Sequence, residues 1–325
     1  MQEKLSWKKL GRLIPIIGLV LFIYIVWSIG FNKIISAFSS IPPLFFVLAL
    51  TISIPRTILY GYKWQVICKK QKMDFSILYL TKIFLMTLFY GIVTPLAIGL
   101  HIRIHYLRKK GEYTLEKCLA NSLIDNTTGF IVGIFLALIG SLILIDRAPS
   151  IFPLFLLFFV FYITAFIVLM KKKRGSRLFN ILVRPFIPVK YKERMDKSVE
   201  MIYEDIPRIR DLFWPFVIEG MIWIVGAVQV YVIALGFSVN VPLHMFIFIA
   251  VLSVIATGML PISIGGLGVR EGMFVFLMST FGVEPEVAFV ISLGGFFVKT
   301  LIPGIFGLII SFGEKGFISD SKKLL

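Results

Sequence analysis

Residues 256–282 read ATGMLPISIGGLGVREGMFVFLMSTFG, an apolar membrane-type stretch interrupted at its centre. Pro261 lacks a backbone donor, and Gly265, Gly266 and Gly268 each cost about 1 kcal/mol in a helix interior, so the helix should break across residues 261–268. Arg270 and Glu271 follow the break at once. An uncompensated charge at membrane depth costs about 2.5–3.5 kcal/mol or more. Irregular backbone at that depth persists only when it is buried in protein or lines a wet cavity, and broken helices of this kind build substrate sites in transporters. The stretch therefore reads as a binding site.

The rest of the chain agrees with a membrane setting. Its 325 residues are 58% hydrophobic and only 16% charged, with a mean hydropathy of +0.91, which excludes a soluble domain and gives an all-α integral membrane protein. The net charge of +16 would point to nucleic acid in a soluble chain. Here Lys and Arg fall between apolar runs, so they report orientation and contact with an anionic membrane surface, and no nucleic-acid partner is expected. Cys68 and Cys118 form no C-x-x-C and imply neither a disulfide framework nor a metal site.

Apolar runs cover residues 13–31, 42–62, 83–100, 121–145, 151–170, 212–236, 243–281 and 287–312, each simple one near the ~20 residues that a crossing needs. Lys4, Lys8, Lys9 and Arg12 precede the first run without a small-residue cleavage site, so it reads as an uncleaved span with a cytoplasmic N-terminus. Lys63, Lys69, Lys70, Lys72 and Lys82 put the loop after the second span on the same side. The third run is followed by Arg103, Arg108, Lys109, Lys110 and Lys117, which is again cytoplasmic. A segment with both ends inside does not cross. Gly91, Thr94-Pro95 and Gly99 interrupt it, so residues 82–110 read as a re-entrant hairpin.

Residues 146–150 form a tight external turn, and residues 171–211 hold twelve Lys and Arg against six Asp and Glu, either an interfacial amphipathic element or a solvated linker. Residues 243–281 then form a second hairpin entering from outside, and Lys315, Lys322 and Lys323 leave the C-terminus cytoplasmic. The sum is a single polytopic domain over residues 1–325: a first half over 1–145, the basic segment, and a second half over 212–325. It has about six full spans and two hairpins of opposite orientation.

The hairpins also match each other. Residues 94–99 (TPLAIG) parallel 260–265 (LPISIG), and an arginine follows each proline, Arg103 in one and Arg270 in the other. An inverted repeat of this kind places substrate sites at the repeat interface near the bilayer midplane.

With these residues in view, nearly the whole chain resembles the membrane region of the lysylphosphatidylglycerol synthase family. That family includes the flippase part of the multiple peptide resistance factor and UPF0104-type membrane proteins. The resemblance is carried by Arg56 and Trp64, by Pro95, Gly99, Arg103, Leu107 and Gly111, and by Pro261, Gly265, Gly266, Gly268, Glu271, Gly282 and Ala288. The family often has an acid-arginine pair in the fourth segment. Here the pair reads Asp125-Asn126, a difference that bears on which lipid is handled. No soluble aminoacyl-transferase sequence follows the last span, so the resemblance implies lipid translocation rather than aminoacylation.

Arg270 sits where the second helix of its hairpin should begin, so free N–H groups, the positive helix end and a guanidinium converge on one point suited to a phosphate. Arg103 has the equivalent place, with snorkelling to the interface as its alternative. Arg56 is expected to pair with Asp125 or Glu219. Glu271, Asp125 and Glu219 read as the acids inside the membrane and Lys299 as its lysine, either proton carriers or fixed counter-charges. His101 and His105 share a helical face, but no nearby acid completes a metal site, and no cofactor is expected.

The expected function is movement of a phospholipid or polyprenyl-phosphate-linked headgroup between leaflets. Arg103 and Arg270 would hold the phosphate from two sides. No G-x-x-x-x-G-K-[ST] is present for direct ATP use. The alternatives are an intramembrane transferase with Asp125 or Glu271 as general base, and a membrane subunit of a lipid-modifying or glycosyltransferase system. A homo-oligomer is compatible with all three.

Overall fold

A computed structural model describes residues 20, 22–94, 99–182, 184–186, 189–260 and 265–313, so Pro95 and Pro261 lie outside the described residues. Every regular element among them is a helix. Five are long and apolar enough to cross a membrane: Pro43–Lys70, Leu115–Ile143, Ile151–Leu169, Ile209–Leu235 and Pro285–Gly313. A sixth candidate is the bent pair α1 (Phe22–Ile29) and α2 (Phe31–Ser39), which meet at 84°. Gly30 makes that corner with φ +99°, a conformation only glycine adopts freely.

The remaining elements follow from local chemistry. Pro43 starts α3 (Pro43–Thr51), where its missing N–H costs nothing, and the chain continues through Ile52 into α4 (Ser53–Lys70). The Ser76 hydroxyl accepts from Tyr79 N–H at 3.3 Å and opens α5 (Ile77–Val93). After a break comes α6 (Ile102–Gly111). Thr114 caps α7 (Leu115–Ile143) by accepting from Lys117 N–H. α8 (Ile151–Leu169) leaves Leu154, Leu157, Val160 and Phe161 exposed, as suits a helix whose solvent is hydrocarbon.

Two amphipathic helices follow, the basic α9 (Lys172–Leu182) and the charge-balanced α10 (Val189–Glu204). The second half repeats the order of the first: α11 (Phe213–Leu235), α12 (Leu243–Met259), a break, α13 (Val269–Ser279), and then α14 (Pro285–Phe296), a π-helical turn Phe297–Leu301 and α15 (Ile302–Gly313).

Both breaks fall where proline and glycine placed them, and the arms α5 and α12 are 17 residues each, or ~25 Å. The two ends of the first broken segment meet, because Asp74 N–H donates to the Tyr113 hydroxyl at 3.0 Å and the Phe75 ring stands edge-on to Tyr113. These residues adjoin the start of α7. The second broken segment closes beside the other end of α7, where Arg147 donates to Thr280 O at 2.8 Å and lies 4.1 Å over the Phe281 ring.

Packing has a matching exchange. α5 lies against α15 and α4, while α12 lies against α7 and α11. The α5–α15 seam is formed at Gly304 and Gly307, where a Cβ would run into the backbone of Phe89 and Leu85.

One core fills the space between α7, α11, α12, α13 and α14, with Ile134, Phe246, Ile255 and Phe274 fully enclosed. Phe246 is held edge-on between Tyr231 and Phe274. A second core joins α4, α5, α6 and α7 through Trp64, Leu80, Ile83, Met86 and Leu107.

Two boundaries differ from the sequence reading. The first apolar run is not one straight helix, since Gly30 turns it. The second span does not end at residue 62; α4 runs on to Lys70 and carries Lys63, 2% exposed, into the protein. The physical reason is that two carboxylates inside the bundle neutralise that lysine, so it does not need the loop.

Candidate anion-binding site

At the second break Gly265, Gly266 and Gly268 take φ values of +60°, +78° and +87°, which explains three glycines in four residues. The chain then enters α13, and Glu271 folds back so that its Oε2 accepts from Gly268 N–H at 2.7 Å. Its Oε1 accepts from Arg270 Nε at 3.0 Å, and the pair also forms an ion pair. Glu271 is wholly buried, so both its oxygens serve to fix the helix start and the arginine. The Arg270 guanidinium lies 4.6 Å over the Phe296 ring.

Arg270 faces a cavity of about 460 Å³ between the two broken segments. Gly91, Ile92 and Leu100 line it from the first, Thr257, Gly265 and Gly266 from the second, and Trp223 and Gly226 from α11. Two further cations enter it, Arg56 from α4 and Lys299 from the π-helical turn. Arg56 Nη1 donates to Lys299 O at 3.2 Å and the guanidinium lies 5.3 Å from the Tyr60 ring, yet Arg56 Nε has no partner among the described residues. Lys299 makes no side-chain hydrogen bond or ion pair within the same set.

The π turn accounts for that placement, because such turns release carbonyls from the helical ladder. Val298 O accepts from Ser53 Oγ at 2.6 Å and from Gln229 Nε2 at 3.3 Å, which ties the turn to α4 and α11. Three cations converging on an apolar-walled cavity, with the single carboxylate behind them already engaged, are suited to hold an anion.

A second buried charge cluster lies apart from the cavity. Lys63 Nζ is 2.7 Å from both Asp125 and Glu219, and Asp125 also pairs with Arg103. Arg103 further donates to Asn126 Oδ1 at 3.1 Å and lies 5.1 Å over the Trp64 ring. Trp64 in turn donates to Asn121 at 2.6 Å, and Asn121 to Gln71 at 2.7 Å. Two cations against two carboxylates make this network neutral.

Of the residues singled out from sequence, Arg56, Arg270, Lys299, Gly265 and Gly266 line the cavity, and Gly268 and Glu271 shape its edge. Arg103, Asp125 and Glu219 do not reach it. Gly99 is at the first break, where its N–H donates to Thr94 Oγ1 at 2.7 Å while that hydroxyl donates to Tyr90 O. Arg56 does not pair with Asp125 or Glu219 as expected, because Lys63 occupies both. Lys63 and Tyr60 are among the members that the sequence reading missed. Their signal was present: Arg56, Tyr60 and Lys63 recur at i, i+4 and i+7, one face of one helix. His101 contacts Ser122 at 3.1 Å, and no cluster of metal-ligating side chains occurs among the described residues.

Residues 15–307 match the family described as the lysylphosphatidylglycerol synthase TM region. The chain belongs to this family. Among relatives, it is 24% identical over 303 residues to a UPF0104 membrane protein of Methanothermobacter thermautotrophicus, covering 86% of this chain and 88% of that protein. It is 21% identical over 314 residues to a UPF0104 membrane protein of Methanocaldococcus jannaschii, covering 92% and 93%. Its place as a multi-pass integral membrane protein thus rests on family and helices together. The matched range contains both broken segments, Arg56 and Lys299.

Proposed function

We propose that this protein translocates a phospholipid or a lipid-linked anionic headgroup between the leaflets of the cell membrane, with both termini cytoplasmic. The observation that carries the reading is the cavity between the two broken segments, with Arg56, Arg270 and Lys299 converging on it. A headgroup crossing the bilayer needs a polar shelter while its tails stay in hydrocarbon, and a cationic cavity reached by irregular backbone offers one.

The opposed-hairpin reading has support of its own. The first broken segment closes at the start of α7 and the second beside its end, and each hairpin's first arm packs against the span that follows the other hairpin. The exposed cations of α9, such as Lys172 and Lys173, would rest on anionic lipid.

Reconstitution in liposomes with fluorescent lipids, read by quenching of the outer leaflet, tests the proposal. Faster exchange with the protein than in empty vesicles, lost in Arg270→Gln, is the expected result. Chemical modification of the lipid without exchange would favour an intramembrane transferase, and an unchanged rate in Arg270→Gln would remove Arg270 from the path.

A further inference from the structure

The charge count of the buried ionisable groups goes beyond a preference for anions. The neutral network consumes Lys63, Arg103, Asp125 and Glu219. At the cavity, three cations face one carboxylate, and Glu271 is already bonded to Arg270 and to Gly268 N–H. Among the described residues, these two sites together hold five cations against three carboxylates, an excess of two located at the cavity. The residues next to each break that lie outside the described set, Pro95 to Ile98 and Pro261 to Ile264, carry no ionisable side chain that could change the balance.

The two halves are unequal in this respect. In the first, a built-in carboxylate answers the arginine that begins α6. In the second, Glu271 answers the arginine that begins α13, but Arg56 from the first half and Lys299 join it at the cavity with no further carboxylate among the described residues.

A small extension of the cavity, about 20 Å³, supplies a further donor. It is lined by Ser292 together with Arg270 and Lys299, and the Ser292 hydroxyl is buried without a hydrogen-bond partner among the described residues. That volume suits a single oxygen atom. Nearly all buried polar groups are satisfied, so this buried hydroxyl beside two cations is a donor suited to an anionic oxygen.

Resting on the anion-binding reading above, we infer that the headgroup taken by this cavity is a dianion, a phosphomonoester or a diphosphate, with one oxygen at Ser292. A phosphodiester supplies one negative charge and would leave a buried cation unanswered. A zwitterionic or cationic headgroup would bring an ammonium to a cavity with no free carboxylate among the described residues to receive it.

The test is equilibrium binding to the full chain in nanodiscs of phosphatidylcholine, with phosphatidate, polyprenyl diphosphate, phosphatidylglycerol and inorganic pyrophosphate as probes. Phosphatidate and polyprenyl diphosphate should bind at least about tenfold tighter than phosphatidylglycerol, a discrimination of about 1.4 kcal/mol. Lys299→Gln should cut that preference to below about threefold, and Ser292→Ala should weaken phosphatidate about fivefold, a group-sized hydrogen-bond effect. Both variants are compared at matched melting temperature.

Pyrophosphate binding as tight as the lipid diphosphate would keep the charge class and assign a soluble source. Phosphatidylglycerol within about threefold of phosphatidate in the natural protein, or a preference that survives Lys299→Gln, would overturn the inference. Dianion binding without transbilayer movement would instead remove the translocation proposal and leave the charge assignment intact.

Discussion

Replacing Lys63 by Met tests the neutral network directly. Lys63 is 2% exposed and lies 2.7 Å from both Asp125 and Glu219. Without it, Asp125 keeps Arg103, but Glu219, also 2% exposed, loses its only ion-pair partner among the described residues. Removing one partner of a buried pair costs about 3–5 kcal/mol, because a charge is left stranded. Methionine nearly conserves volume, so packing adds less than about 1.5 kcal/mol. The expected loss is therefore about 3 kcal/mol or more in reversible unfolding in mixed micelles.

Glu219→Gln in the same chain removes the stranded charge and should recover more than half of that loss, a coupling of about 2 kcal/mol in the double-mutant cycle. A loss under about 1 kcal/mol, or strict additivity of the two substitutions, would refute the assignment of this cluster as a mutually dependent set.

A Cβ on Gly226 would stand 3.1 Å from Arg56 Nε, so Gly226→Val should push the guanidinium from the cavity and weaken anion binding about tenfold for about 1–3 kcal/mol of stability, measured by titration and melting. Thr94→Val removes the hydroxyl that both accepts from Gly99 N–H and donates to Tyr90 O, and should cost about 1 kcal/mol for each bond, with faster amide exchange confined to the first break.

Cysteines placed at Lys70 and His105 should be labelled from the same side of the membrane; opposite sides would show that the first broken segment crosses. Finally, the exposed Lys172–Glu200 pair at 2.7 Å joins α9 to α10, and its hydrogen bond holds the Glu200 carboxyl below the usual range. A depressed carboxylate stabilises above its unfolded value of about 4.3 and stops doing so as pH falls through the lower folded one. Amide protection of α9 should thus hold at pH 7 and drop in acid below about 4.

The sequence was most readable where the backbone itself is constrained. Proline and glycine located both helix breaks, because few other residues disturb an apolar run. The lysine and arginine loops supplied the expected sidedness, and the two ends of the first broken segment meet where Asp74 N–H donates to the Tyr113 hydroxyl.

Pairing was less readable. Lys63 looked like a loop residue because its partners come from α7 and α11, 62 and 156 positions away, and nothing local distinguishes a lysine bound inward from one facing water. The same blindness assigned Arg56 to carboxylates already taken. Lys299 was noticed only as a lysine at depth; the π turn that presents it arises from tertiary bonds to Ser53 and Gln229.

The glycine seam between α5 and α15 bears on how the molecule moves. With no side chains between Gly304 or Gly307 and the opposing main chain, there is no cushion along which one rod can slide past the other. The two therefore travel as one lever, and because α15 continues directly from the turn bearing Lys299, any rocking of the first arm carries that ammonium with it. Under the proposed translocation, opening toward one leaflet and repositioning that charge would be the same mechanical event.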